Sequence, residues 1–409
     1  MKTTMKNAET LLQTDQLFSD RITDVPRSFI REILKVAINP DVISFAGGLP
    51  NRDLFPVEEL RQSAIKVFDT MGKEALQYSN SEGFLPLREY ISHYYSKKHD
   101  IAVRSENILI TSGSQQGLDL LGKVLINTGD DVIIEEPGYL GAIQALSLYR
   151  PTFLPVPLLE NGIDTRHLAN VLSSGNPKLM YSVPEFQNPA GISYSQEVRD
   201  KVVRLLKGRR CYIIEDNPYI DLRFEGVGSK SFYLSIPERT ILLGTFSKTT
   251  VPGFRLGWIV APDNLMEKLI IAKQAADLHT NIFTQMLLYQ YLTNYDNDSH
   301  IQKIRNVYGR QRDAMVEALG KFFPPGVKFT RPQGGMFLWV TLPGEMSSME
   351  LFNIAIQKKV AFVPGDPFYT TKQEICPTLR LNFSCSDIET IHQGIQRLGE
   401  SLHELLPSC

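Results

Sequence analysis

Short apolar runs alternate with helical patterns over the middle of the chain. The runs are almost entirely apolar, as expected for strands buried on both faces, and segments with apolar residues three or four apart separate several of them. Strands joined in this way by helices form parallel sheets, so this part predicts an α/β fold with helices on both faces of a mostly parallel sheet. The predicted strands are 108–110, 132–134, 179–183, 211–214, 241–243 and 258–260, and the predicted helices between them are 114–125, 139–148 and 196–206.

The pattern changes after Pro262, where helices lengthen and strands become short. This change in the lengths of helices and strands indicates a smaller α+β unit, preceded by a long charged helix of the kind that links two domains. The predicted helices are 265–277, 283–292, 300–322, 350–358 and 388–405, and the predicted strands are 336–340, 361–363 and 379–383.

The chain length of 409 residues exceeds one ordinary domain. We therefore predict a large domain at 41–300 and a small domain at 301–409. Residues 1–40 contain one amphipathic segment, 29–38, and form an arm too short to be a separate DNA-binding domain. Further helical patterns follow Pro56 and Gly83.

Polar side chains follow three of the predicted strands, at the points where the strands end. Asn188 follows 179–183, Asp216 and Tyr219 follow 211–214, and Lys248 follows 241–243. The carboxyl ends of parallel strands meet at one edge of a sheet, so these four side chains are expected to converge. Taken singly, each of these residues has a purely structural interpretation, as a turn former, a helix cap, a packing residue or a solvated charge.

Together these residues suit one cofactor, pyridoxal 5′-phosphate. Lys248 supplies the amine nucleophile for a Schiff base. Asp216 pairs with the pyridine nitrogen and keeps it protonated, so that the ring can accept electrons. Tyr219 and Asn188 can donate hydrogen bonds to the ring phenolate oxygen.

The cofactor's phosphate needs an anion-binding site, and two stretches offer one. The first is the turn at 111–117 between a strand and a helix, where free backbone N–H groups meet the positive end of the helix dipole. This turn lacks a Walker lysine and the full Gly-x-Gly-x-x-Gly spacing. The second lies around Lys248. The residues proposed for phosphate or ring contacts are Ser114, Gln115, Thr245, Ser247 and Arg255, with Tyr139 stacking on the ring.

Composition narrows the possible partners. The net charge of -2 and pI near 6.4 give no reason to expect nucleic acid or anionic membrane. The four cysteines are scattered and the amino terminus lacks the apolar stretch of a signal peptide, so reduced thiols and a cytoplasmic location are expected. We expect no metal site, because no histidines have ligand spacing, and no membrane span, because no apolar run is long enough.

Taken in order, the motifs resemble fold-type I pyridoxal phosphate aminotransferases of class I/II, over nearly all the chain from about residue 28. The subgroup most similar in motif detail contains the 2-aminoadipate and kynurenine aminotransferases, and it also resembles the catalytic half of certain fused transcription regulators. The resemblance implies a seven-stranded, mostly parallel sheet between helices and a smaller α+β domain. Its motifs are Ile-Ser-Phe-Ala-Gly-Gly-Leu-Pro at 43–50, Leu-Gln-Tyr-Ser at 76–79, Gly-Ser-Gln-Gln at 113–116, Asn-Pro-Ala-Gly at 188–191, Asp-Asn-Pro-Tyr at 216–219, Gly-Thr-Phe-Ser-Lys at 244–248 and Leu-Arg-Leu-Asn-Phe at 379–383.

The resemblance implies four further roles. Tyr78 would reach the cofactor phosphate of the partner subunit, which implies a homodimer with shared active sites. Arg380 would bind the substrate α-carboxylate, although an ordinary ion pair is the alternative. Gly48 would bring backbone against the substrate. Arg31 would lie on an amino-terminal arm that joins the small domain and covers the active site, or would be a solvated helix charge.

The predicted function is transfer of an amino group from an L-amino acid to a 2-oxo acid such as 2-oxoglutarate, by a ping-pong mechanism. The subgroup suggests 2-aminoadipate, kynurenine, aromatic or broad donor specificity. One alternative is a lyase, decarboxylase or cyclising synthase on the same scaffold, because fold alone does not settle reaction type. The other is a regulatory module that senses an amino acid without catalysis.

Overall fold

A computed structural model describes residues 17–23, 25 and 41–406. The amphipathic segment predicted at 29–38 and the candidate residue Arg31 lie outside the described residues. Before residue 41 the structure describes one short helix, α1 (Asp20–Thr23). Within the described ranges, no helix combines the length and the apolar character needed to cross a membrane.

The large sheet has eight strands in the order β2-β9-β8-β7-β6-β3-β4-β5. Neighbouring strands from β8 to β4 are parallel, whereas β9 runs antiparallel to β8 and β2, and β5 is a two-residue antiparallel strand at the edge. The predicted seven-stranded, mostly parallel sheet is confirmed, with β5 as a short addition. The strands are β2 (Ile108–Thr111), β3 (Asp131–Glu136), β4 (Thr152–Leu159), β5 (Gly162–Ile163), β6 (Leu179–Ser182), β7 (Tyr212–Asp216), β8 (Thr240–Thr245) and β9 (Gly257–Val260).

Helices cover both faces of this sheet because successive strand side chains point to opposite sides. On β3, Ile133 belongs to one apolar cluster with residues of α6 and α7, whereas Ile134 belongs to another with Leu118 of α4. Each face therefore buries its own apolar cluster. The helices of this part are α2 (Val57–Ala75), α3 (Leu85–His99), α4 (Gly113–Leu125), α5 (Leu140–Ser147), α6 (Thr165–Ser174), α7 (Gln196–Leu206), α8 (Asp263–Ala276) and α9 (Ile282–Asn294).

Strand β4 and helix α6 were not predicted. The β4 sequence contains Pro155 and Pro157, which remove two backbone donors and argue against a strand. The structure tolerates both prolines because β4 lies near the edge of the sheet, pairing with β3 along one side and with β5 only at its end.

A smaller four-stranded antiparallel sheet has the order β10-β11-β14-β13. A separate strand pair joins β1 (Ile43–Ser44), from the predicted large domain, to β12 (Val360–Ala361). The predicted boundary at 300 falls inside α10. The domain boundaries at 40 and 300 stay a prediction. The remaining elements are α10 (Asn297–Phe322), β10 (Lys328–Phe329), β11 (Phe337–Thr341), α11 (Ser348–Gln357), β13 (Val363–Pro364), β14 (Thr378–Asn382) and α12 (Ile388–Leu405).

Candidate active site

Lys248 lies three residues beyond the carboxyl end of β8, on the loop predicted to carry it. Its Nζ donates a hydrogen bond to the carbonyl oxygen of Gly48 at 2.8 Å and lies 5.9 Å from the centre of the Tyr219 ring. Burial, together with the positive charges of Arg380 and Arg255, lowers the pKa of Lys248 to about 8. The amine is therefore closer to its neutral, nucleophilic form at neutral pH than an exposed lysine would be.

Asp216 is the last residue of β7 and its side chain is buried. Tyr181, on the neighbouring strand β6, donates a hydrogen bond from its hydroxyl to Oδ2 of Asp216 at 2.7 Å. The other carboxylate oxygen, Oδ1, has no hydrogen-bond partner among the described residues. Burial raises the pKa of Asp216 to about 7, although the Tyr181 hydrogen bond opposes that shift. A buried carboxylate oxygen without a partner is a strong acceptor site for a ligand N–H group.

Arg380, in the middle of β14, contacts the loop after β6 and the segment after β1. Its Nη1 donates to Oδ1 of Asn188 and its Nη2 donates to the carbonyl oxygen of Ala46, each at 2.8 Å. The guanidinium carbon lies 4.4 Å from the centre of the Phe337 ring. Asn188 in turn faces the hydroxyl of Tyr219, with 3.4 Å from its Nδ2 to the Tyr219 oxygen. The buried Nε of Arg380 has no partner within the described part of the chain.

A candidate anion-binding corner lies where Arg255 approaches the amino terminus of α4. A Cβ atom on Gly113 would lie 2.5 Å from Nη2 of Arg255, and Gly113 has a φ of +74°, so the close approach requires glycine. Thr245 donates from Oγ1 to the Ser247 hydroxyl at 2.9 Å. Free N–H groups at a helix start, a guanidinium and hydroxyls together suit a phosphate.

One cavity of about 320 Å³ unites these groups. A larger groove of about 770 Å³ lies beside Tyr94 and Glu215, but Lys248, Asp216 and Arg380 do not line it. The chemistry therefore favours the smaller cavity. The predicted residues that line it are Gly48, Ser114, Gln115, Tyr139, Asn188, Asp216, Tyr219, Thr245, Ser247, Lys248, Arg255 and Arg380.

Tyr78 is the described candidate that does not line this cavity. Its side chain is 80% exposed, and its ring makes an edge contact with His279, with 5.9 Å between the ring centres. In the part of the chain that the structure describes, no group of three or more His, Cys, Asp and Glu side chains could hold a metal ion.

Some residues that line the cavity were not predicted from the sequence. Tyr181 lies inside the apolar run 179–183, which predicts only a buried strand, although it stands two register positions before Asp216 on the adjacent parallel strand. That register, once known, would have revealed the pairing. The other cavity residues without a predicted role are Leu49, Pro50, Val183, Pro218 and Pro252.

The family model described as "Aminotransferase class I and II" matches residues 40–398 of this chain. The chain belongs to the class I and II aminotransferases. This aminotransferase is 41% identical over 399 residues to aromatic-amino-acid aminotransferase 1 of Thermococcus litoralis, covering 96% of this chain and 95% of the relative.

Solved structures of other aminotransferases are similar to this chain in fold as well as in sequence. The kynurenine aminotransferase of Pyrococcus horikoshii, crystallised with PMP, superposes with a TM-score of 0.93 at 40% identity, covering 98% of this chain and all of that one (100%). The α-aminoadipate aminotransferase of Thermus thermophilus, complexed with a phosphopyridoxyl derivative of leucine, gives a TM-score of 0.89 at 39% identity, with 96% and 98% covered.

Pyridoxal 5′-phosphate is the cofactor of this aminotransferase. The cavity fits the cofactor at three separate places. The free Oδ1 of Asp216 suits a protonated ring nitrogen, the amine of Lys248 suits an aldehyde, and the corner between Arg255 and α4 suits a phosphate.

Proposed function

We propose that this aminotransferase takes amino groups from large L-amino acids, including aromatic amino acids, kynurenine and 2-aminoadipate, and passes them to 2-oxoglutarate. The observation that carries this proposal is the meeting of Lys248, Asp216 and Arg380 in one cavity. Relatives of nearly equal identity are named for aromatic, kynurenine and aminoadipate donors, which favours a broad donor range over a single one.

The proposed role of Lys248 is to hold the cofactor covalently and, once released, to take the proton from the substrate Cα at its Nζ. When bound, the cofactor would supply a ring that withdraws electrons and stabilises negative charge at that carbon. A lysine pKa near 8 suits both tasks, because the amine can be neutral to accept a proton and charged to return it. The carbonyl oxygen of Gly48 holds the amine inside the cavity.

Other side chains would orient the cofactor. We assign the ring nitrogen to Oδ1 of Asp216 and the phenolate oxygen to Tyr219 and Asn188, which lie side by side. Tyr139 would stack on the ring, because it starts α5 with its ring lining the cavity. The phosphate would be bound by Ser114, Gln115, Thr245, Ser247 and Arg255.

Arg380 is the proposed binding group for the substrate α-carboxylate. Without substrate its two terminal nitrogens are occupied by Asn188 and the carbonyl of Ala46, so a carboxylate would exchange one set of acceptors for another. A Cβ on Gly48 would make only an ordinary contact, at 3.4 Å, with the Phe337 ring, so the proposed approach of the Gly48 backbone to the substrate rests on the resemblance. The role of Arg31 as a second carboxylate partner stays a prediction. The cytoplasm is the proposed compartment, in keeping with free thiols at Cys211, Cys376 and Cys385.

A homodimer with shared active sites completes the proposal. Tyr78 is exposed, and so are Leu76, two residues before it, and Leu278, which precedes the His279 that the Tyr78 ring contacts. A surface of this kind is typical of an interface with another chain. A second copy seated on it would carry Tyr78 toward the phosphate end of the partner's cavity.

A donor panel tests the function. Holoenzyme mixed singly with aminoadipate, kynurenine, aromatic, branched-chain and acidic L-amino acids should convert its cofactor spectrum to the aminated form, fastest with the large donors. Added 2-oxoglutarate should restore the starting spectrum and yield glutamate. Release of carbon dioxide or ammonia in place of a 2-oxo acid would favour the decarboxylase or lyase alternative, and a spectrum that no donor changes would reject the proposal.

Mixed dimers test the role of Tyr78. The Tyr78→Phe homodimer should bind the cofactor about tenfold more weakly, since one hydrogen bond to a charged group is lost. A dimer of one Tyr78→Phe chain and one Lys248→Ala chain should contain one site with wild-type affinity, because that site takes Lys248 from one chain and Tyr78 from the other.

A matched control replaces the first chain by Tyr295→Phe, which changes another partly exposed tyrosine. Its homodimer should retain wild-type cofactor affinity. If the working site of the Tyr78→Phe mixed dimer shows the weakened affinity of the homodimer, Tyr78 serves its own chain and the shared site is wrong.

A further inference from the structure

Tyr181 forms a hydrogen bond that none of the roles above uses. Its side chain is fully buried in β6, and its hydroxyl donates to Oδ2 of Asp216 at 2.7 Å. Burial and the charge of Asp216 hold the pKa of Tyr181 well above its ordinary value, so the hydroxyl keeps its proton and remains a donor. A tyrosine hydroxyl has a single proton to give. That proton is committed to Asp216.

The two oxygens of Asp216 are consequently unequal. Oδ2 is occupied by Tyr181, whereas Oδ1 has no partner among the described groups although the residue lines the cavity. A donor on one oxygen stabilises the ionised carboxylate and lowers the basicity of the other oxygen. The free oxygen can then accept a hydrogen bond from a protonated nitrogen without taking the proton.

We propose that Tyr181 is a positioning residue that keeps Asp216 ionised, with Oδ1 available to the cofactor, and thereby keeps the proton of that hydrogen bond on the ring nitrogen. This inference rests on the proposed contact between Asp216 and the ring nitrogen. Without the Tyr181 hydroxyl, Oδ1 becomes more basic and the same proton moves from nitrogen to oxygen. No proton is gained or lost, so the change is one of position.

The chain offers a matched control. Tyr194 is also fully buried and also donates to a buried carboxylate, Oε1 of Glu135, at 2.7 Å. Neither Tyr194 nor Glu135 lines the cavity. Phenylalanine at either position keeps the ring and removes one buried hydrogen bond, so the two variants lose similar contacts in different places.

The experiment records the nitrogen-15 resonance of the ring nitrogen in holoenzyme reconstituted with nitrogen-15-labelled pyridoxal 5′-phosphate. In Tyr181→Phe the resonance should move from the position of protonated pyridine toward that of neutral pyridine. The kcat of the donor half-reaction should fall about 10- to 100-fold with little change in KM, as expected for loss of a hydrogen bond to a charged group. Tyr194→Phe should leave the resonance in place.

A second variant keeps the test decisive if Tyr181→Phe folds poorly. Site-specific 3-fluorotyrosine at 181 retains the ring and the hydroxyl but donates more strongly, so it should move the resonance no closer to neutral pyridine and preserve kcat. The proposal is overturned if the resonance is unchanged in Tyr181→Phe, if it moves equally in Tyr194→Phe, or if it moves toward neutral pyridine with 3-fluorotyrosine. A wild-type resonance already at the neutral position would instead overturn the proposed contact of Asp216.

Discussion

Replacing Lys248 by alanine is expected to abolish transamination, with kcat lower by about 10⁴-fold or more. The substitution removes both the amine that binds the cofactor covalently and the base at the substrate Cα, and positioned acid–base groups alone contribute about 10²- to 10⁴-fold. The absorbance of lysine-linked cofactor should disappear. Stopped-flow and steady-state assays with the fastest donor of the panel, together with a cofactor spectrum, measure both effects.

Lys273 supplies the control for Lys248. It is also a buried lysine, and its Nζ donates to the Thr280 hydroxyl at 2.9 Å, but it does not line the cavity. Lys273→Met should keep the lysine-linked absorbance, even if the protein becomes less stable. Full turnover by Lys248→Ala, or the same spectral loss in Lys273→Met, would refute the assignment of Lys248.

Replacing Arg380 by alanine is expected to lower kcat/KM for amino acids. The decrease should correspond to a loss of about 2 to 5 kcal/mol of transition-state stabilisation, because the substrate carboxylate is left buried without its partner. The loss should be confined to substrates that carry the α-carboxylate. A donor and its decarboxylated amine should therefore become nearly equal substrates of Arg380→Ala. The kcat/KM of Arg380→Lys for amino acids should lie between the values of the wild type and Arg380→Ala, since lysine keeps the charge but not the paired donors.

Arg312 provides a matched buried arginine. It is held by Glu225 and the carbonyl oxygen of Pro332, away from the cavity. Arg312→Ala should reduce stability while leaving the preference for amino acids over amines intact. An unchanged preference in Arg380→Ala would show that the carboxylate binds elsewhere.

The sequence predicted elements well where local signals agreed. Helix α7 has the predicted bounds because Ser195 caps its first turn, accepting a hydrogen bond from Val198. Helix α10 begins at Asn297, three residues before the prediction. The cap at Asp296 starts it ahead of the first apolar residue, so the apolar period gave no sign of that turn. β4 was missed because its prolines contradict strand propensity, and only its place near the sheet edge makes them acceptable.

The residues of the candidate site also fall into those that local signals predict and those that they do not. Asn188, Asp216, Tyr219 and Lys248 were found because the ends of parallel strands meet, a rule that needs only the order of elements. Arg380 was assigned by resemblance, since nothing local links it to Asn188, which lies 192 positions away in the chain. Tyr78 and Arg31 keep roles that rest on the resemblance and on the dimer.

Residue types and the order of elements were enough to predict the kind of chemistry: an amine, a carboxylate and an anion site at adjoining strand ends, which suit pyridoxal phosphate. Tertiary packing fixes the contacts and the pKa of each of these groups. It placed Tyr181 against one oxygen of Asp216 and left the other oxygen free, and it set Lys248 against Gly48 beside two arginines. The physical reason is that residue types and element order are properties of the chain. Strand register, burial and the partner of each polar atom exist only once distant segments have packed together.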